Sequence, residues 1–181
     1  LSRFPGVETN PELGRLLAVS MMNQRKFNEA AKKLLDIIKA HPDHVQAYQV
    51  IAQLAARRPD SVNAEPQEWL NKAVENNPDS VSALIARAAY RFGNGNSSGA
   101  NADLDKALTQ EVKDNDQRLR LAGVLMGASR LDEAAEHLDR AKSEDPQSDA
   151  LWRSYVQLAM ARGDNSMLLD VVDDGLDSLA P

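Results

Sequence analysis

The chain has 181 residues, a formal net charge of −6 at pH 7, no cysteine and only 4% aromatic residues. Without cysteine there is no disulfide, thiolate nucleophile or Cys-based metal site, although the compartment stays open because many secreted proteins also lack cysteine. The acidic balance argues against a general affinity for nucleic acid or anionic lipid. No apolar stretch approaches the roughly 18 residues of a membrane span. Alanine and leucine outnumber valine and isoleucine three to one, which favours an all-α chain.

The first ten residues, LSRFPGVETN, precede the first helical pattern. Their apolar side chains and Pro5 are typical of a helix end closed by proline. We therefore expect residues 1–10 to be the end of a preceding helix or a linker, and the parent chain to continue upstream.

An internal repeat organises the rest of the chain. The intervals between Leu34, Leu70, Leu104 and Leu138 are 36, 34 and 34, counted along the sequence, and a proline follows three of these leucines at a constant distance. The repeat predicts five units, which span residues 11–44, 45–80, 81–114, 115–148 and 149–181. Each unit has two stretches of helical periodicity around a polar break, so each is predicted to be a helical hairpin.

Small residues mark the place where the two helices of a hairpin cross. In the first unit we expect Ala18 to face Ala30, and in the fourth Ala122 to face Ala134, because close helix packing needs small side chains. Leu13 and Leu17 are predicted to lie on the same face as Ala18. The two extra residues of the second unit fall in the segment RRPDSVNAEP, which we expect to be a longer turn before a helix that starts near Pro66.

The last helix has a polarised pattern. An apolar stripe is predicted at Leu168, Val171, Val172, Leu176 and Leu179, while four aspartates lie mostly off it. Because a terminal repeat needs a solvated outer face, we expect a capping helix. An acidic docking surface for a basic partner, or a helix covered by further repeats, are the alternatives.

Spacing and residue types together resemble the tetratricopeptide repeat (TPR) family. The segments RKFNEAAKKLLDIIKAHPDH and SRLDEAAEHLDRAKSEDPQS match its second-helix pattern, and Tyr48 and Trp152 occupy its early aromatic position. Pro66 and Arg87 depart from the pattern, as do Leu168 and Gly175. The resemblance implies a right-handed α-solenoid of about five TPR-like repeats, with a concave groove that binds an extended peptide or a partner's helix.

The resemblance places the groove along one stripe of each first helix. The predicted groove residues are Leu16, Val19, Met22, Asn23, Val50, Gln53, Arg57, Ile85, Ala89, Phe92, Leu119, Arg120, Gly123, Met126, Arg153, Gln157 and Met160. Their apolar character suits a hydrophobic peptide or an amphipathic helix, although any of the apolar members could instead belong to the core between helices. Family members that bind the acidic C-termini of chaperones use Lys, Arg and Asn in this stripe, where this chain has Val19, Val50, Ser82 and Ala86.

Catalytic and metal-binding patterns are not found, so neither a catalytic residue nor a cofactor is predicted. The segment from Gly93 to Gly99 lacks the preceding strand of a phosphate-binding loop and is predicted to be a turn. His41 and His44 flank a proline that ends a helix, so they do not share the fixed helical face of a metal site. Gly123 and Gly127, inside a helix, predict room either for a neighbouring helix or for the backbone of a ligand.

These observations favour a noncatalytic protein-interaction scaffold with a protein or peptide partner, and without nucleic acid or membrane insertion. One alternative is a regulatory or substrate-recruiting module of a larger enzyme. A weaker alternative, based on the Trp152 and Tyr155 pair alone, is a repeat of an RNA-processing assembly, but only the first unit has the net positive charge that such binding favours.

Overall fold

The structure is a computed structural model that describes residues 10–179. This part of the chain contains ten α-helices and no strand, so the all-α prediction is confirmed. The helices are α1 (Pro11–Asn23), α2 (Phe27–Ala40), α3 (Val45–Arg57), α4 (Pro66–Asn76), α5 (Val81–Gly93), α6 (Ser97–Leu108), α7 (Asn115–Gly127), α8 (Leu131–Glu144), α9 (Asp149–Arg162) and α10 (Asn165–Leu179). Each predicted repeat contains two of them. The predicted segment 1–10 lies outside the described residues except for Asn10, which caps α1 through its side chain.

The described part of the chain forms two compact units, which are divided between Arg87 and Ala88. The first unit contains α1 to α4 and the start of α5, and the second contains the end of α5 and the helices from α6 to α10. Within the first unit α1 packs on α2 and α3 on α4, and within the second α7 packs on α8 and α9 on α10. Helical hairpins are therefore the building blocks of both units.

The turn inside four of the hairpins has one residue in the left-handed region. It is Arg25 (φ 63°), Gly95 (φ 77°), Ser129 (φ 60°) or Gly163 (φ 66°), always nine residues before the repeat position of Leu34. This conformation lets a short turn reverse the chain, and glycine adopts it at the lowest cost. The predicted turn at 93–99 is of this type, with the Asn96 side chain accepting from the backbone N–H of Gly99 at 2.9 Å.

The second hairpin accommodates its two extra residues in the predicted turn. A 3₁₀ turn forms at Pro59–Ser61, and relative to its aligned leucine α4 starts three residues later than α2 does. Pro66 is the first residue of α4, and Glu65 and Glu68 form a capping box around it. Because proline lacks the amide hydrogen that a first-turn residue does not need, Pro66 replaces the crossing alanine without breaking a helical hydrogen bond.

The core lies where the small and large repeat residues meet. Ala18, Ala30, Ala122 and Ala134 are completely buried, and the four aligned leucines are at most 4% exposed. Leu13 and Leu17, predicted to lie on the same face of α1 as Ala18, are nevertheless 44% and 37% exposed. Their repeat equivalents Ala47 and Ile51 are buried on α3, which has a preceding hairpin to pack against; no described hairpin precedes α1 in this way.

Gly175 explains how the last hairpin closes. A Cβ atom added there would lie 3.3 Å from two ring atoms of Trp152, a tighter contact than side chains normally make. The departure from the family pattern at Gly175 thus makes room for the indole of Trp152, whose Nε1 donates to the carbonyl oxygen of Pro146 at 2.7 Å.

Candidate functional site

The predicted groove stripes lie on the first helices of the hairpins. First helices of successive hairpins also contact one another directly: α1 contacts α3 in the first unit, and α7 contacts α9 in the second. Neighbouring stripes therefore adjoin within each unit, so a ligand could contact two hairpins at once.

Most of the predicted groove residues are accessible. The exposed ones are Leu16, Asn23, Gln53, Arg57, Ala89, Arg120, Gly123, Arg153, Gln157 and Met160. The half-buried ones are Val19, Met22, Phe92, Leu119 and Met126. The buried ones are Val50 and Ile85.

Val50 and Ile85 pack inside the first unit. Their exposed fractions are 7% and 4%, so neither side chain offers surface to a ligand. Val50 belongs to α3, which packs against α1, α2 and α4 at once and so has few positions left open. These two residues are core, the alternative that the sequence left open for apolar members of the stripe.

One repeat position presents an accessible apolar side chain in four of the five units. The position is occupied by Met22, Phe92, Met126 and Met160, with Ala56 in the second unit. None of the five is buried, and Met160 is 68% exposed. Methionine is flexible and polarisable, so it adapts to the surface of a bound peptide.

Gly123 lies in an open part of the α7 stripe. No heavy atom lies within 4 Å of a Cβ built at Gly123 or at Gly127. Packing against a neighbouring helix therefore explains neither glycine in the described structure. The open backbone on α7 leaves room for the close approach of a ligand.

Two of the arginines of the stripe pair with carboxylates of their own helices. Arg153 pairs with Asp149 at 2.7 Å, and Arg120 pairs with Asp116, each one turn apart. All four side chains are largely exposed, so these ion pairs add little stability. They keep the arginines along the helix surface, where they could re-pair with a ligand.

Two polar interactions, each with one buried partner, escaped the sequence analysis. Asp103, whose side chain is 5% exposed, pairs with Arg91 at 2.8 Å, and Arg91 also donates to the carbonyl oxygen of Gly99. Tyr155 donates to Asp139 at 2.6 Å. In each interaction the two partners lie on different helices, so helical periodicity in the sequence does not predict their contact. Only the packing of the helices brings them together.

His137 lines a cavity of about 650 Å³ in the second unit, outside the predicted groove. Burial lowers the pKa of His137, and the nearby Arg140 and Arg118 lower it further. Burial also lowers the pKa of the half-buried His44, although Glu12, 3.5 Å away, opposes the shift. Both imidazoles are therefore held in the neutral form.

Protonation of these histidines should destabilise the fold. Because their folded pKa values lie below the ordinary value near 6.5, the unfolded chain binds more protons as the pH falls. Their stabilising contribution is complete above that value and is lost toward lower pH. We expect the free energy of unfolding, measured by denaturant titration between pH 7.5 and 5.5, to fall with pH, and His137→Gln to reduce the slope. An unchanged slope in His137→Gln would contradict the role of burial.

Among residues 10–179 no group of three His, Asp or Glu side chains is placed to hold a metal ion. None of the helices in this part of the chain is both long and apolar enough to cross a membrane.

Paired helices that recur at the interval of the aligned leucines define a helical-repeat protein. Two models of the tetratricopeptide repeat family match the chain, one over residues 15–81 and one over residues 91–158. Together they cover well over half of the sequence. The chain belongs to the tetratricopeptide repeat family, and the predicted resemblance is confirmed. No curated protein sequence matches the chain.

Solved structures agree with this fold. PilW, a type IV pilus biogenesis factor, has a TM-score of 0.64 at 18% identity, over 94% of this chain and 78% of its own. A tetratricopeptide repeat protein from Parabacteroides merdae has a TM-score of 0.61 at 21% identity, over 95% and 66%. YrrB, described as a TPR protein with an unusual peptide-binding site, has a TM-score of 0.55 at 13% identity, over 96% and 90%. At these identities the similarity shows the fold alone.

Proposed function

We propose that this TPR protein is a noncatalytic scaffold that binds a peptide or a partner's helix along the stripes of its first helices. The family and its fold support a protein-interaction scaffold in general terms. The stripes supply the finer part of the proposal, because they combine apolar and polar side chains that a second polypeptide can contact.

The accessible apolar position shared by Met22, Phe92, Met126 and Met160 is the observation on which the proposal rests. A helix in water usually turns its large apolar side chains to the core, so an apolar side chain that stays at least partly accessible at one repeat position in four units indicates a second role. A polypeptide bound along the adjoining stripes of α7 and α9 would cover Met126 and Met160, while Arg120, Arg153 and Gln157 fix its register.

Peptide selection tests the proposal while the partner is still unidentified. The immobilised chain selects binders from a random peptide library displayed on phage, and the affinities of the enriched peptides are measured by fluorescence anisotropy. We expect the double variant Met126→Glu with Met160→Glu to lower the affinity for these peptides by at least tenfold, because two charges replace apolar contacts.

The matched control is Leu35→Glu, which adds a charge at an exposed apolar residue of a second helix. It should leave peptide affinity unchanged. Enriched peptides that bind the double variant as tightly as the unchanged chain would exclude the stripe as the binding surface, provided that circular dichroism shows equal helicity.

Gly123 provides a test in which stability and binding move in opposite directions. Gly123→Ala should raise the free energy of unfolding by up to about 1 kcal/mol, because alanine favours an exposed helix interior and the added Cβ meets no atom. The same methyl group should lower the affinity for enriched peptides whose backbone approaches α7, because it occupies the space that the peptide backbone needs. Denaturant titration and anisotropy measure the two effects, and Gly127→Ala serves as a comparison on the same helix. A stabilised variant with unchanged affinity for every selected peptide would remove Gly123 from the proposed site.

A further inference from the structure

The outer face of α10 differs from the same face of every earlier second helix. Val172 follows Leu138 at the interval that separates Leu138 from Leu104, so it occupies the repeat position of the four aligned leucines. Those leucines are at most 4% exposed, whereas Val172 is 42% exposed. Leu169 and Leu176, on the same side of α10, are 68% and 67% exposed. The outer face of α10 therefore exposes large apolar side chains, whereas a capping helix usually has a polar outer face.

In two of the earlier repeats this face packs against the first helix of the following hairpin. α3 packs on α2 in the first unit, and α9 packs on α8 in the second. The covering element is a helix in both cases. The repeat thus indicates what kind of structure fits the outer face of α10.

A polar position next to Val172 shows the same difference. Asn71, Asp105, Asp139 and Asp173 are repeat equivalents, each directly after the residue at the leucine position. The first three accept a hydrogen bond from the following hairpin. The donors are Arg87 to Asn71 at 3.3 Å, Arg130 to Asp105 at 2.6 Å and Tyr155 to Asp139 at 2.6 Å. Asp173 is exposed, and among residues 10–179 no side chain donates to it.

The negative charge of α10 indicates which kind of partner fits its outer face. Asp170, Asp173 and Asp177 are all exposed on α10, and the nearby cation Lys142 is paired with Asp174 at 3.0 Å. Two α10 helices face to face would bring like charges together, which disfavours a symmetric pairing of two copies. A basic helix would instead neutralise the aspartates while it covers the leucines.

We propose that the outer face of α10, formed by Leu169, Val172, Asp173 and Leu176, is a docking site for a basic amphipathic helix of a partner protein. Apolar side chains of that helix cover Leu169, Val172 and Leu176, and an arginine at its centre donates to Asp173 as Arg87 donates to Asn71. This face lies on a second helix, so it is separate from the stripes of the proposed function.

The probe is a fluorescein-labelled peptide with the sequence of residues 81–93, VSALIARAAYRFG, blocked at both ends. It contains two arginines and no acidic residue, and Arg87 lies at its centre. A peptide of this length is largely unfolded when free, so its absolute affinity is low. That ordering cost is the same for every protein variant, and ratios of affinity between variants are therefore meaningful.

We expect Leu176→Gln to lower the affinity for the peptide by roughly tenfold in fluorescence anisotropy. The substitution removes an apolar contact with the peptide, and because Leu176 is exposed it does not disturb the fold. Asp173→Asn should weaken the binding of the peptide roughly fivefold, because asparagine still accepts the hydrogen bond, as Asn71 does, but without a negative charge. Asp174→Asn is the control for charge, since Asp174 pairs with Lys142 instead, and Leu35→Gln is the control for apolar exposure. Both controls should bind as the unchanged chain does.

Two results would overturn the proposed site. One is equal peptide affinity in the unchanged chain and in Leu176→Gln, which would place the peptide elsewhere. The other is concentration-dependent association of the chain by itself in sedimentation velocity that Leu176→Gln abolishes, which would assign the face to a second copy. A peptide in which glutamate replaces its central arginine should bind at least tenfold more weakly, and equal binding would refute the contact with Asp173. Loss of stripe binding in Met126→Glu with Met160→Glu does not bear on these results.

Discussion

Truncation of Leu138 to alanine is expected to lower the free energy of unfolding by about 2 to 5 kcal/mol. Leu138 is completely buried on α8, which packs on α7 within its own hairpin and on α9 of the next. Removal of its side chain leaves a cavity between three helices. Rigid helices cannot close such a space fully, so the lost contacts add to the lost transfer free energy.

Denaturant titration followed by circular dichroism measures this effect, and the matched control is Leu169→Ala. Leu169 lies in the same unit but is 68% exposed, so its truncation should change the free energy of unfolding by no more than about 0.5 kcal/mol. Equal costs for the two variants would mean that the leucine repeat does not form the interface between hairpins. A change in the denaturant slope of Leu138→Ala would indicate that the hairpins of the second unit no longer unfold together.

The fold could be predicted from the sequence because one spacing fixes many contacts. Once Leu34, Leu70, Leu104 and Leu138 are aligned, the alignment predicts the positions of the crossing alanines, the closing prolines and the insertion before Pro66. These features are local: each depends on residues within one hairpin or its neighbour. Even the left-handed residue at Ser129, which no residue preference marks, stands at a constant distance from the aligned leucine.

The candidate site could be predicted only in outline. Leu16 and Val50 occupy the same repeat position, yet the first is 49% exposed and the second 7% exposed. Their difference arises from the number of helices around them, because α3 has a hairpin before it and α1 has no described one. A periodic pattern states which way a side chain points from its own helix, but not how many neighbours surround that helix. For the same reason the pattern of α10 predicts a capping helix, although its outer face exposes Val172.

A substitution at Val50 tests whether a residue of the predicted stripe belongs to the core or to the groove. Val50→Glu is expected to lower the free energy of unfolding by about 3 kcal/mol or more, because it places a carboxylate without a partner among α1, α2 and α4. The control is Gln53→Glu, which adds the same charge one turn further along α3 at an exposed position. Its cost should be within about 0.5 kcal/mol of zero.

The outcome also decides how Val50 relates to ligand binding. A folded Val50→Glu variant with the stability of Gln53→Glu and a reduced affinity for selected peptides would show that Val50 faces the groove, contrary to its burial. We expect the opposite: helicity and thermal stability fall together, and any loss of binding follows the unfolded fraction. Measurement of peptide affinity at several temperatures separates the two cases, since a binding defect persists where the variant is fully folded and an unfolding defect does not.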